Sequence, residues 1–153
     1  MSVYAAFSES MSALAVPSEF LLRIYVGLAL VPHGLRAIFG LFTPDGVPPN
    51  NLRRFAASLD GGGWRPGVLW APLIGVVQLV CGPLLALGLF TRAVALPIVI
   101  FLAVANIERW RVGRYFWNTR GLEYTVMWTL AALYFLAHGG GEWSLDAILD
   151  LDF

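Results

Sequence analysis

The stretch SEFLLRIYVGLALVPHGLRAIFGL, residues 18–41, decides the fold. A helix needs about 20 predominantly apolar residues to cross the hydrocarbon core of a bilayer. This run meets that length, yet it carries Glu19, Arg23, His33 and Arg36. Glu19 and Arg23 stand at i, i+4 with the acid first, the favourable order for a helical pair, and read as a structural pair. His33 and Arg36 sit about one turn apart near the other end. A buried polar group in lipid costs several kcal/mol unless it finds a partner. The ring and the charge therefore ask for a reason.

The composition names the solvent. The 153 residues are 58% hydrophobic and only 13% charged, and none is lysine. A soluble domain carries about 25% charged residues. With a mean hydropathy of +0.71, this chain cannot cover a globular surface with polar groups, and a bilayer suits it. Net charge is zero at pH 7, which offers no basic face to nucleic acid. The lone Cys81 rules out a disulfide framework, a CxxC pair or a cysteine zinc cluster within the chain. The opening MSVYAAFSESMSALAVPSEF lacks a basic leader and a compact apolar core, so it reads as a retained tail.

Outward from residues 18–41, three more apolar segments follow, at 69–90, 93–110 and 122–137. The expectation is an all-α integral membrane four-helix bundle over 18–138, with an N-terminal tail at 1–17 and a short acidic tail at 139–153. Pro17 and Gly139-Gly140-Gly141 bracket it. Segments two and three join through a tight hairpin at Gly88–Arg92. Segments three and four join through the arginine-rich, aromatic Glu108–Arg120. The first connection, Phe42–Val68, is long. Within it Leu52, Phe55, Ala56 and Leu59 fall at i, i+3, i+4, i+7. That spacing marks either an amphipathic interfacial helix or a loop with one helical turn.

Arginine counts set an orientation. One side holds Arg36, Arg53, Arg54, Arg65, Arg109, Arg111, Arg114 and Arg120; the other holds Arg23 and Arg92. The positive-inside rule places the first side in the cytoplasm and both termini outward. Trp64, Trp70, Trp110, Trp117 and Trp143 fall near span ends, as interface anchors do. In the outward tail, Trp143, Leu145, Ile148 and Leu149 have near-helical spacing, which suits docking on a partner or lying on the bilayer.

Depth then groups the polar residues. At 1.5 Å per residue, His33 lies roughly 10 Å in from the arginine-rich face and Gln78 about as deep, with Asn106 roughly 6 Å deep. Glu123 and Tyr124 lie just inside. His33, Arg36, Gln78, Asn106, Glu123 and Tyr124 thus form a candidate cluster in one half of the bilayer. Ionisable residues in spans are functional-site candidates. Structural roles stand beside this: Arg36 can snorkel to the headgroups, Glu123 can pair with Arg120 or Arg36, and His33 can join helices by a hydrogen bond. Gly27 and Gly34 share one face and suit a close helix contact. Cys81, beside Gly82 and Pro83, reads as a small packing residue.

Several chemistries are absent from the pattern. His33 and His138 lie near opposite faces and cannot bracket one haem. No GxGxxG or GxxxxGK[ST] loop occurs, and no Ser/His/Asp or Cys/His nucleophile arrangement. No intrinsic cofactor and no metal site is expected.

Three stretches resemble the DoxX family. RIYVGLALVPHGLRAIFG is similar to its first span, QLVCGPLLALGLFTR to its second, and RGLEYTVMWTLAALYFLAHGGGEWSLDAI to its fourth span and tail. The resemblance covers roughly residues 19–149. It implies a four-helix bundle in a bacterial or archaeal cytoplasmic membrane. It also implies a link to oxidoreductase complexes, notably the membrane subunit of a thiosulfate:quinone oxidoreductase, while distant relatives act as assembly or cargo factors. Matching positions are His33, Gly34, Arg36 at the family's lysine, Gly82, Gly88, Arg92, Glu123 and Ser144-Leu145-Asp146. Gln78 stands where the family often has glutamate. Cys81-Gly82 replaces a glycine pair, and Asn106-Ile107-Glu108-Arg109 stands where the third span often ends in histidine.

Two functions follow as expectations. In the first, the chain is a membrane subunit of an oxidoreductase complex that gives a quinone a site near the arginine-rich face. His33 would hydrogen-bond a carbonyl, Arg36 would stabilise charge developing on the ring, and Glu123 would lead protons in. In the second, it is a non-catalytic accessory subunit that stabilises a larger assembly, or a homo-oligomer, in contact with lipid. A transporter ranks last, since four short spans without an internal repeat leave little room for alternating access.

Overall fold

The computed structural model describes residues 3–119 and 121–151. Arg120 and Asp152, counted in the charge pattern, lie outside the described residues. All regular structure among the described residues is helical. The order is α1 (Val3–Ser12), α2 (Ala15–Phe39), α3 (Leu52–Gly61), α4 (Gly67–Val76), a π turn (Val77–Cys81), α5 (Gly82–Leu87), α6 (Thr91–Val112), a 3₁₀ turn (Trp117–Thr119), α7 (Leu122–His138) and α8 (Leu145–Ile148). α4, the π turn and α5 run on as one rod, Gly67–Leu87. Pro17 falls in the first turn of α2, where its missing N–H costs nothing.

Among the described residues three helical runs are long and apolar enough to cross a membrane: Phe7–Phe39, Gly67–Leu87 and Thr91–Val112. The fourth long helix, α7, has 17 residues, the short end of the spanning range. α2 lies antiparallel to the α4–α5 rod, and α6 pairs with α7. The core between them is Val26, Leu30, Leu85, Ala95, Ile98 and Phe135 with their neighbours.

Glycine lets α2 and α5 touch backbone to backbone. A Cβ on Gly27 would run into the Gly82 carbonyl oxygen and the Ala86 backbone nitrogen, and one on Gly82 would lie 2.7 Å from the Gly27 oxygen. One rung on, a Cβ on Gly34 would meet Leu79 at 2.7 Å and Gln78 Cβ at 2.9 Å. A further rung places Gly75 against Ile38. Small residues allow such contact where lipid gives no hydrophobic drive between helices.

At the end of the bundle away from the arginines, residues 139–151 fold back as a clasp. Arg23, 1% exposed, reaches it from α2. Its guanidinium donates to the Gly140 and Trp143 carbonyls and, at 3.4 Å, to Ala86 O. Glu19 accepts from Tyr134 Oη at 3.2 Å, so the i, i+4 neighbours divide their hydrogen bonds between two partners. Asp146 accepts from Phe90 N, Thr91 N and Thr91 Oγ1 at 2.7, 2.8 and 2.6 Å, capping α6 from a distance in sequence. Its own N–H donates to Gly88 O at 2.8 Å. Ser144 is buried and caps α8. The tail is thus turned inward at Ser144 and Asp146, while Ile148 and Leu149 stay exposed.

Two stability predictions follow from these contacts. Arg23→Met removes one guanidinium from three carbonyls and is expected to cost about 3–5 kcal/mol; Arg23→Lys should recover only part, because one ammonium lacks the planar fork. The midpoint of thermal unfolding in detergent measures both, and an unchanged Arg23→Met midpoint would contradict the clasp. Gly27→Leu should push α2 off α5 and cost about 3 kcal/mol in the same assay, whereas Gly61→Ala, at a helical position with open space around it, should cost less than half of that.

Candidate functional site

A cavity of about 690 Å³ lies in the arginine-rich half of the bundle. α2, the α4 rod, α6 and α7 wall it, and Phe55 and Leu59 of α3 close over it. The amphipathic segment of the long first connection is therefore a helix whose apolar side turns to the cavity. Asn51 caps it, accepting from Arg54 N at 2.9 Å. Asp60 pins it to α4 by accepting from Gly67 N at 2.7 Å. The cavity wall is mostly apolar. Its polar side chains are His33, Gln78, Glu108, Arg109, Tyr124 and Thr125.

Gln78 holds its place through the π turn. Gly82 N–H bonds to Val77 O, five residues back. Pro83 follows, with no N–H to offer Leu79 and a ring that crowds the turn before it. Widening the helix relieves that crowding, and π turns concentrate at functional sites. Gln78 is 6% exposed, and its Oε1 is buried with no hydrogen-bond partner among the described residues. Gly34 lets α2 close on it, which brings His33, one residue away, to the same wall. Arg36 and Arg109 are the positive charges near the His33 ring.

Of the six clustered residues expected from depth, His33, Gln78 and Tyr124 share the cavity. Arg36 is exposed and stands outside the wall. Asn106 faces α7: its Nδ2 donates to Thr129 Oγ1 at 2.8 Å, and Thr129 donates to Thr125 O at 2.7 Å. Asn106 Oδ1 is buried without a partner. Glu123 holds the connection before α7, accepting from Trp117 N at 3.2 Å while its own N–H donates to Tyr115 O at 3.0 Å. Arg120, the other partner considered for it, lies outside the described residues. The tryptophans divide as well. Trp64 and Trp70 line the cavity, and Trp110, Trp117 and Trp143 are exposed.

Depth reasoning passed over Glu108 and Arg109. Their signal is the α6 stripe Pro97, Phe101, Ala105, Glu108 and Arg109, which recurs every three to four residues and lines the cavity. Glu108 Oε1 accepts from Trp64 Nε1 at 2.6 Å and from Arg111 Nη1 at 2.7 Å. The Arg111 guanidinium lies 5.6 Å from the Trp64 ring centre. At the other side Tyr124 meets Trp128 edge to face at 5.6 Å, and Trp128 stacks on Tyr25 at 5.5 Å. The result is an apolar, aromatic chamber with an imidazole and an amide on its wall and charges at its arginine-rich end. Among the described residues no three metal-ligating side chains come together.

Comparison with known proteins agrees with this architecture. The family model described as DoxX matches residues 18–108. The chain is 31% identical over 140 residues to the "Uncharacterized membrane protein Rv3486" of Mycobacterium tuberculosis, covering 85% of this chain and 80% of that one. It is 33% identical over 128 residues to an "Uncharacterized protein" of Haemophilus influenzae, covering 82% and 85%. No solved structure matches. With a family match over more than half of its length and two relatives above 30% identity across most of theirs, the chain belongs to the DoxX family of membrane proteins.

Proposed function

We propose that the chain is a membrane subunit of an oxidoreductase complex whose cavity holds a quinone-class ligand. That ligand is a flat ring with polar oxygens on an apolar tail. The observation that carries the reading is Gln78: a residue 6% exposed whose Oε1 has no partner among the described residues, on a π turn, in the wall of a cavity shared with His33. A buried polar group without a partner costs about 1–3 kcal/mol, and a bound polar ligand offers one way to offset it. About 690 Å³ falls within the range of small-ligand sites, roughly 300–1,000 Å³.

The roles follow from chemistry. The His33 ring donates to a carbonyl oxygen of the oxidised ring, and Gln78 Oε1, an acceptor only, takes a hydrogen bond from a hydroxyl of the reduced ring. The aromatic and branched side chains take the tail. Glu108, at the arginine-rich end, is the carboxylate placed to pass protons between water and His33; it takes the part that depth alone assigned to Glu123. The bundle crosses the membrane four times in this reading, with α7 as a short fourth span, the arginine-rich end in the cytoplasm and both termini outside. A second reading, an accessory subunit that holds a larger assembly together, draws on the exposed aromatic run Trp110, Tyr115, Phe116 and Trp117. Aromatic side chains are favoured at protein interfaces.

Trp64, Trp70 and Trp128 line the cavity, which makes binding readable. A short-chain quinone titrated into the protein in nanodiscs should quench tryptophan emission to saturation. His33→Ala and Gln78→Leu should each weaken apparent affinity about tenfold, the loss of one charge-free to charge-assisted hydrogen bond of about 1.4 kcal/mol. Linear quenching that neither substitution alters would sink the site and leave the accessory reading standing.

A further inference from the structure

The arginine-rich end of the cavity is closed from two rigid sides. On one side α3 is fixed to the start of α4. A Cβ on Gly67 would collide with the Ala56 carbonyl, and Asp60 accepts from Gly67 N at 2.7 Å. On the other side α6 packs on α7 and is tied to it by Asn106 Nδ2 donating to Thr129 Oγ1 at 2.8 Å. One hydrogen bond joins these two bodies among the described residues: Trp64 Nε1 to Glu108 Oε1 at 2.6 Å. Both residues line the cavity.

The main chain at Trp64 is tied to α3, with Trp64 N donating to Leu59 O at 2.9 Å and Gly63 N to Asp60 O at 3.1 Å, so the freedom left to Trp64 is rotation of its side chain. Trp64 follows Gly61-Gly62-Gly63. Gly63 has a φ of +87°, and nothing lies within 4 Å of where a Cβ would stand on Gly61 or Gly63. Glu108 does not depend on Trp64 for its charge partner. Arg111 holds the same oxygen at 2.7 Å, so the carboxylate stays paired if the indole leaves. The indole gives up one hydrogen bond and a cation–π contact at 5.6 Å to Arg111.

We propose that Trp64 is a swinging bolt across the mouth of the cavity. Glu108 is its keeper and Arg111 braces the keeper. With the indole bonded to Glu108, the passage from the cavity to the arginine-rich interface is narrowed. When the indole rotates away about its side-chain bonds, that passage widens while α3 and α6 stay in place. This deepens the ligand-site reading by giving it a controlled entrance, but the bolt itself is a property of the empty cavity and is tested without a ligand.

The probe is a membrane-impermeant maleimide acting on a cysteine in the cavity wall. Cys81→Ser removes the native thiol, and Ala105→Cys, on the α6 stripe, supplies the reporter. In nanodiscs the reporter should label slowly. Glu108→Ala, which leaves the indole intact but takes away its acceptor, should raise the labelling rate about tenfold. Trp64→Phe should do the same, and Glu108→Gln, which keeps a neutral acceptor, should fall between. Equal rates in the parent and in both Glu108→Ala and Trp64→Phe, with unchanged thermal midpoints, would overturn the bolt. The ligand reading fails separately: quinone quenching that is absent while labelling still responds to Glu108→Ala leaves the bolt and removes the quinone.

Discussion

The backbone contact between Gly27 and Gly82 sets the register on which the rest of the bundle depends. Two helices that touch through their main chains cannot slide without a clash, so every other rung is fixed. The next rung seats Gly34 on Gln78 and Leu79. That puts His33 on the same wall as Gln78, and both on the cavity. A methyl group at either glycine would move the helices apart and separate the imidazole from the amide. In lipid this matters more than in water. Helices there gain nothing from hiding apolar surface against each other, so close packing and hydrogen bonds must supply the specificity.

Arg23 shows what an apolar chain does with a full charge. The guanidinium is not left to a single carboxylate. It is spread over backbone carbonyls from α5 and from residues 140 and 143, which have no N–H partners of their own in a regular helix. Asp146 performs the complementary task, accepting from the N–H groups of Phe90 and Thr91 at the start of α6. One cation and one anion thus satisfy helix ends that water would otherwise have to reach. The clasp ties α2 to the segment between α7 and α8, although more than a hundred residues separate them, and it does so at the end of the bundle opposite the cavity. The clasp and the cavity therefore occupy different ends.

Much of the fold was legible because apolar runs and glycine stops are local signals. The expected segments at 69–90 and 93–110 fall within three residues of Gly67–Leu87 and Thr91–Val112, and residues 122–137 match α7 within one. Position along a helix is legible too, since rise per residue is constant. Rotation is not. Asn106 and Glu108 differ by two residues and hardly in depth, yet Asn106 faces Thr129 and Glu108 faces the cavity. A π turn adds to the difficulty, because it shifts the face of every residue beyond it, and its cause, Pro83, reads in sequence only as a kink. Arg23 was legible in part for a related reason. Its i, i+4 neighbour Glu19 is visible in the sequence, while its carbonyl partners are invisible there, being main chain and far away. Trp64 read as an interface anchor because tryptophan near a span end usually is one; only the fold brings Glu108 within its reach.

The cavity also bears on which function suits this chain. A subunit that serves only as a scaffold gains from filling its interior, since an empty space among packed helices forfeits dispersion contacts. Here the interior is left open at the level where Gln78 lacks a partner, and it is lined by aromatic rings that are themselves fixed by one another, as Tyr124, Trp128 and Tyr25 are. An apolar chamber and an amide oxygen without a partner among the described residues each cost free energy in hydrocarbon unless something occupies the chamber and donates to the oxygen. Replacing Gln78 with leucine would remove one cost and reduce the other, which makes a polar side chain at that position hard to explain by packing alone. The same reasoning separates Gln78 from Asn106. Asn106 spends its nitrogen on Thr129 and so ties α6 to α7, a structural return that offsets its unpartnered oxygen. Gln78 has no such return among the described residues, and ligand binding is the function that would supply one.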